Sequence, residues 1–293
     1  MSRNLLSVII PSRNEQFLNQ TIKDLLKNAR GDIEIIVVLD GYWEKELVDD
    51  KRVHYLHRGR AQGMRAGINS AVAISSGDYI MKIDAHCMVD EGFDIKLREM
   101  KDNWVVVPRR KRLDAENWCV LDVGKPDVDY ELVTNPKGDD MHGRIWGQRA
   151  IDRKDIMIDD CLTSQGSCWF TTRKNFDRLE LMDEKIYGMF FNEAQEISFK
   201  AWLSGGRVMV NKKTWYAHLH KGSRYGRGYS IGSGQRPIAS KAMMEWVENN
   251  GWSKQTIDFS ALIEHFNVPG WTKDDIIRLK KKDKFFKKIK KYG

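Results

Sequence analysis

Over the first hundred residues, short and mainly apolar runs alternate with helical patterns, and this restricts the fold more than any other feature of the chain. The run LLSVII (5–10) is followed by FLNQTIKDLLKNA, in which Phe17, Ile22, Leu25 and Leu26 fall on one face. IEIIVVL (33–39) repeats the apolar run and RVHYLH (52–57) reads as a third strand. GMRAGINSAVAISSG is a small-residue helix closed by Gly77, and DYIMKI (78–83) is a fourth strand. Strands without polar alternation are covered on both faces, so the order predicts an α/β chain with a mostly parallel central sheet. Ligands of such sheets gather beyond the carboxyl ends of the strands. That rule sets Pro11 to Glu15, Asp40 and Asp84 to His86 along one rim.

At 293 residues the chain can bury a large core, as one domain or as a domain with an appendage. Hydrophobic content of 41% with 31% charge is ordinary for a soluble protein. No run of about 18 apolar residues is present, so no transmembrane segment is expected. The start MSRNLLSVIIPSRN lacks a cleavage pattern and reads as a core strand. Cys87, Cys119, Cys161 and Cys168 have no zinc-like spacing, which predicts free thiols and a cytoplasmic location. The net charge is +8, much of it in RLKKKDKFFKKIKKYG at the carboxyl end. With Leu279, Phe285, Phe286 and Ile289 interrupting the lysines, that end reads as a basic amphipathic helix able to touch an anionic membrane or a polyphosphate. A solvated terminal helix and plain disorder are the competing readings.

The chemistry concentrates where the fourth strand ends, in YIMKIDAHCMVD. Asp84 offers a hard oxygen and His86 a borderline nitrogen, and two residues apart on an extended segment they share one side. Such a mixed pair suits manganese better than calcium, with magnesium as an alternative. An acidic cap beside a core histidine is the competing reading. In PSRNE, ligand contact by Arg13 and Glu15 competes with helix capping by Ser12 or Asn14.

The succession SVIIPSRNE, VVLDG, DAHC, MFFNEAQEISFKAWLSGGRV and YAHLHKG resembles the GT-A-fold glycosyltransferases, particularly the family 2 enzymes and the polypeptide N-acetylgalactosaminyltransferases. The likeness covers residues 5–107 and 163–222. It implies a Rossmann-like nucleotide-diphospho-sugar transferase that moves a sugar from a nucleoside diphosphate sugar, a UDP-sugar by family habit, to a hydroxyl acceptor with Mn2+ or Mg2+ as cofactor. The cation would neutralise charge growing on the departing diphosphate. On this reading residues 1–235 form the GT-A domain: 1–107 its nucleotide-binding half, 108–160 an insertion, and 161–235 an acceptor-side half and loop. Residues 236–293 form a helical basic extension.

The resemblance assigns the metal to Asp84 and His86 with His218 as third ligand, His220 competing. Pro11, Arg13, Glu15 and Asp40 would surround the nucleotide. Gly63 and Arg65 would bring helix-terminal amides and a cation to it. Lys221, Arg224 and Arg227 fall in a glycine-rich loop that would close over the diphosphate. NEAQE departs from the inverting pattern, because Ala194 stands where an aspartate normally takes the acceptor proton. Either Glu193 is the catalytic base, or the chemistry is retaining. The Asp-Ala-His motif leans towards retention.

The acceptor is less legible. Aromatics among arginines in RRKRLDAENW, HGRIWGQR and SRYGRGY suggest a polyanion, hence a DNA acceptor carrying a hydroxymethylated pyrimidine, of the kind some phages make, in which case the host cytoplasm is the location. A cell-envelope glycan or lipid, with peripheral membrane contact through the basic carboxyl end, is the alternative. The relatives' membrane anchor and lectin domain are not seen, which speaks against a secretory peptide glycosylator. A silent nucleotide-sugar-binding protein is a further alternative, made conceivable by Ala194. An oxidoreductase is disfavoured, since PSRNEQ stands where a GxGxxG turn belongs.

Overall fold

The computed structural model describes residues 4–134, 141–232 and 234–282. In chain order the first half contains β1 (Leu6–Ser12), α1 (Leu18–Asn28), β2 (Ile33–Asp40), β3 (Val53–Arg58), α2 (Met64–Ile74), β4 (Tyr79–Ile83), β5 (Cys87–Val89), α3 (Phe93–Lys96) and β6 (Trp104–Asp114). Next come β7 (Cys119–Val120), β8 (Glu131–Val133), β9 (Gly143–Ile145), α4 (Gly147–Asp152), β10 (Ile158–Asp160), β11 (Cys168–Thr172), α5 (Arg173–Arg178) and α6 (Glu184–Tyr187). The last elements are α7 (Glu193–Leu203), β12 (Arg207–His218), α8 (Gly222–Tyr225), α9 (Gln235–Asn249), α10 (Phe259–Phe266) and α11 (Lys273–Lys282).

One mixed sheet runs in the order β10-β12-β6-β11-β4-β1-β2-β3, with β5 on β12 and β7 on β6. The β4-β1-β2-β3 half is parallel, as the alternation requires, and β6 and β12 are parallel to each other. Strand β11 runs antiparallel to both β4 and β6. Side chains alternate across β1: Leu6, Val8 and Ile10 join Leu18, Ile22 and Phe93 on one face, while Ile9 joins Ile68, Val72 and Trp169 on the other. Each such fully buried aliphatic side chain contributes about 1.5–3 kcal/mol.

The sequence differs from the structure in three places. The segment RVMVNKKTWYAHLHKG, expected as a strand pair, forms the single strand β12, with a register shift against β6 between Asn211 and Trp215. Within the weakly periodic 108–160 stretch the described residues include short strands: β6 continues to Asp114, β8 pairs antiparallel with β9, and β10 edges the sheet. Helices α9 to α11 pack Met243, Trp246, Phe259, Phe266 and Leu279 into the same core as α7 and the sheet. Of the basic amphipathic end, Leu279 is therefore buried, whereas Phe285, Phe286 and Ile289 lie outside the described residues. Among the described residues no helix is long and apolar enough to cross a membrane. All four cysteines are free thiols, with Cys119 alone exposed.

Candidate active site

The register of the sheet assembles the centre. Strand β4 ends at Ile83, the Asp84 amide donates to Ser167 O at 2.9 Å, and the chain turns into β5, whose Cys87 pairs with His218 of β12. Asp84, His86 and His218 thereby converge, and one ligand atom from each lies within 4.8 Å of the others. His218 Nε2 is 3.2 Å and His86 Nε2 3.9 Å from Asp84 Oδ2. Atoms bonded at about 2.1 Å to one divalent ion lie roughly 3–4 Å apart, a range that takes in both separations. His220 is exposed and outside the cluster.

Outer groups orient these ligands. His86 Nδ1 lies 3.2 Å from Glu15 Oε2, so an Nδ1–H donating there leaves the Nε2 lone pair facing Asp84. Glu15 is clamped by Lys221 Nζ at 2.8 and 2.6 Å, and although burial works against it, His86 and Lys221 keep its carboxyl below the usual range. Burial lowers His218 to about 4, with His86 and Arg110 adding to the effect and Asp84 opposing it. Arg110 stands 3.4 Å from His218 Nδ1.

Lys82, unnoticed in the sequence, is a cation 1% exposed inside a strand. Its ammonium donates to Asp84 Oδ1 at 2.7 Å, Gly166 O at 2.6 Å and Glu193 Oε2 at 3.3 Å. Burial would depress its pKa, but the two carboxylates outweigh that and raise it. Burial likewise would raise Asp84, yet Lys82 and the two histidines hold it far below the ordinary range. Glu193 keeps a raised pKa because burial dominates, and its other oxygen accepts from Trp169 Nε1 at 2.9 Å.

These residues open into a cavity of about 630 Å³. Pro11, Arg13, Glu15, Asp40 and Gly63 line it with Lys221. Asp40 accepts from the Gln62 and Gly63 amides, both at 2.8 Å, and so fixes the entry to α2. Gly63 has φ +98°, and a Cβ there would meet Met189 Cβ at 2.7 Å, which demands glycine.

Two expected residues do not reach the cavity. Arg65 is fully buried, ion-paired to Glu196 and donating to Phe191 O at 2.8 Å; a helix start suggests an outward cation, but Glu196 and Lys200 of α7 lie behind it. Arg224 is exposed and bonds Glu116 at 2.5 Å, whereas Arg227 lines the cavity with its guanidinium 5.1 Å from the Phe190 ring. Lining residues that sequence reasoning passed over include Glu131, Gln165, Gln195 and Tyr229, the last with the Arg13 guanidinium 4.9 Å from its ring. Only Lys82 carried a signal, as the lone charge inside YIMKI.

The profile described as glycosyl transferase family 2 matches residues 7–157, more than half of the chain. The chain belongs to glycosyltransferase family 2. Its relatives include Glycosyltransferase GlyG of Streptococcus pneumoniae, 30% identical over 95 residues that make up 30% of this chain and 32% of the relative. The Probable N-acetylgalactosaminyltransferase 7 of Caenorhabditis elegans is 24% identical over 269 residues, 83% of this chain and 43% of the relative. Less than half the length of these two curated relatives is matched. Among solved structures, GalNAc-T7 with UDP, GalNAc and Mn2+ superposes with TM-score 0.67 at 16% identity, covering 90% of this chain and 55% of that one. S. aureus TarS 1–349 in complex with UDP-GlcNAc gives TM-score 0.50 at 14% identity, with 77% and 61% covered. These likenesses establish a GT-A fold for this family 2 chain.

Proposed function

We propose that the protein transfers a sugar from a UDP-sugar to a hydroxyl acceptor with the help of a divalent cation. The observation that carries this reading is the meeting of Asp84, His86 and His218 at the carboxyl rim of the parallel strands, inside the cavity that Asp40, Arg13 and Lys221 also line. The mixed oxygen and nitrogen donor set fits manganese, and Glu15 behind His86 supplies the outer carboxylate such sites use. Asp84, His86 and His218 would hold the ion, which when bound offsets negative charge on a departing diphosphate. The relatives crystallised with UDP and Mn2+ and with UDP-GlcNAc support the same donor class.

The chain's own residues divide the remaining work. Arg13 and Asp40, both lining the cavity, would face the base and ribose. Lys221 and Arg227 bring positive charge from the glycine-rich segment to the cavity, and Asn14 Nδ2 ties that segment down through Gly228 O at 3.2 Å. Glu193, with donors on both oxygens, holds the cavity wall in register with Asp84.

A glycan or lipid hydroxyl is favoured over DNA as acceptor, because several of the arginines read as a polyanion surface are engaged by carboxylates or aromatic rings of the chain itself. Arg109 forks onto Asp129, Arg149 packs against Tyr130, Trp146 and Phe266, and Arg224 bonds Glu116. Ala194 left a choice between Glu193 as base and a retaining reaction, with the Asp-Ala-His motif leaning towards retention, and Glu131 is a further carboxylate of the cavity that could serve as base.

The test is calorimetric titration of UDP with Mn2+ or chelator, followed by UDP release from UDP-GlcNAc and UDP-GalNAc with water, glycan, lipid and hydroxymethylated or plain DNA as acceptors. Manganese-dependent binding and turnover are expected. UDP binding without turnover on any donor leaves a binding protein, and turnover restricted to hydroxymethylated DNA reverses the acceptor assignment.

A further inference from the structure

The structure points to Glu131 as the group that takes the proton from the acceptor hydroxyl, at an acceptor subsite it forms with Gln165, Gln195 and Gly143. This rests on the transferase reading above. Position 194 presents only a methyl group to the cavity, so the proton needs another destination. The carboxylates lining the cavity are Glu15, Asp40, Asp84, Glu131 and Glu193. Lys221 clamps Glu15, two backbone amides occupy Asp40, Lys82 and His218 hold Asp84, and Trp169 with Lys82 engages Glu193. Glu131 alone of the five forms no ion pair and accepts no such clamp among the described residues, apart from Gln165 beside it.

Its position is fixed by the backbone. The Glu131 amide donates to Thr163 O at 3.2 Å, and the residue pairs with Ile145 across the β8–β9 hairpin. A Cβ on Gly143 would lie 2.5 Å from Glu131 Oε2 and 3.1 Å from Gln195 Nε2, so the carboxylate and the amide converge over a residue that leaves them room. A carboxylate flanked by two amides suits a hydroxyl-bearing acceptor and repels a phosphate. Burial pushes Glu131 up to about 7, against the lowering influence of Arg110 and Gln165, which suits a base near neutrality. The ionisable groups packed around it are Arg110 of β6, Asp129 ahead of β8, His142 ahead of β9 and Cys161 after β10.

In the step, the acceptor O–H bond breaks and its proton passes to the Glu131 carboxylate. The freed electron pair forms the bond to the anomeric carbon. The bond from that carbon to the phosphate oxygen breaks, and its pair leaves on the diphosphate. A single in-line displacement of this kind inverts the anomeric centre.

The test uses the full chain with Mn2+, UDP, UDP-GlcNAc and UDP-GalNAc, water serving as the acceptor common to every assay. Glu131→Gln is expected to bind UDP within about threefold of the unaltered protein while UDP release falls by about 100-fold or more. The rise in rate through pH 7 should vanish in that variant, and Glu131→Asp should keep part of the rate. Gly143→Ala, which crowds the carboxylate without altering it, should lose turnover and keep UDP binding. Turnover of Glu131→Gln within about threefold, with the same pH profile, overturns the assignment and leaves the transferase reading standing. An unaltered protein that neither binds UDP nor turns over either donor overturns both.

Discussion

Lys82 Nζ lies 2.7 Å from Asp84 Oδ1 and 3.3 Å from Glu193 Oε2, so one strand delivers both a metal-ligating carboxylate and the cation that holds it beside a second acid. Replacing that cation leaves two buried carboxylates facing each other. Lys82→Met should lower stability by about 3–5 kcal/mol at neutral pH in urea denaturation. Without Lys82 both folded carboxyls bind protons more tightly than unfolded ones, so their contribution is lost as pH rises and the deficit should shrink as pH falls towards 4. A deficit independent of pH would show that the ammonium acts by packing alone.

The donor set predicts how manganese affinity breaks down. Asp84→Asn, His86→Ala and His218→Ala should each abolish tight Mn2+ binding measured by loss of the free-ion paramagnetic resonance signal. Glu15→Gln, which reaches the ligand set through Nδ1 of His86, should weaken it by about 10–100-fold. Burial keeps His218 neutral down to about pH 4, so proton competition at that ligand begins only near there. A Glu15→Gln protein with unchanged affinity would remove the outer-carboxylate role.

Arg65 and Glu196 form a fully buried pair, with Lys200 on the same carboxylate at 2.7 Å. Arg65→Met should cost about 3–5 kcal/mol by removing one of the two cations that hold buried Glu196, while leaving UDP affinity in the surviving folded fraction unchanged. Weaker UDP binding at full stability would return Arg65 to the nucleotide.

Glu131 gives a signature in stability that needs no substrate. Its folded pKa of about 7 exceeds the ordinary glutamate value of 4.5, so the stability it contributes is complete below about 4.5 and is lost as pH rises through 7. Glu131→Gln should therefore melt above the unaltered protein at pH 8 and not at pH 4.5. Parallel melting curves at the two pH values would contradict the buried, unpaired carboxyl.

Lys221 and Arg227 reach the cavity from the glycine-rich segment. Lys221→Ala and Arg227→Ala should each raise the Kd for UDP by about 10-fold, a loss of roughly 1.4 kcal/mol, without unfolding the chain. Arg224→Ala, whose partner is the exposed Glu116, should leave that Kd unaltered.

What the sequence disclosed follows from where the information resides. Strands β1, β2 and β4 were legible because both faces are buried and most positions are apolar, whereas β3, at the sheet edge, is buried at Val53 alone. Asp84 and His86 were legible because two adjacent alternate positions carry the chemistry. Arg65 was misplaced because its partner Glu196 is 131 residues away, and nothing local distinguishes an inward guanidinium from an outward one. Glu131 escaped for the same reason: Gly143, Gln165 and Gln195 meet it only through the hairpin and α7. Strands β8, β9 and β10, three residues each, are too short to display a period.

The register shift between Asn211 and Trp215 divides β12 into a rear half held between β6 and β10 and a front half held between β6 and β5. Because side chains flip sides with every residue of slippage, a slip in the front half would swing His218 out of reach of Asp84. Flanked by a strand on either side, the front half has its own alignment, and the imidazole stays indexed to its partners whatever the spacing behind the irregular stretch.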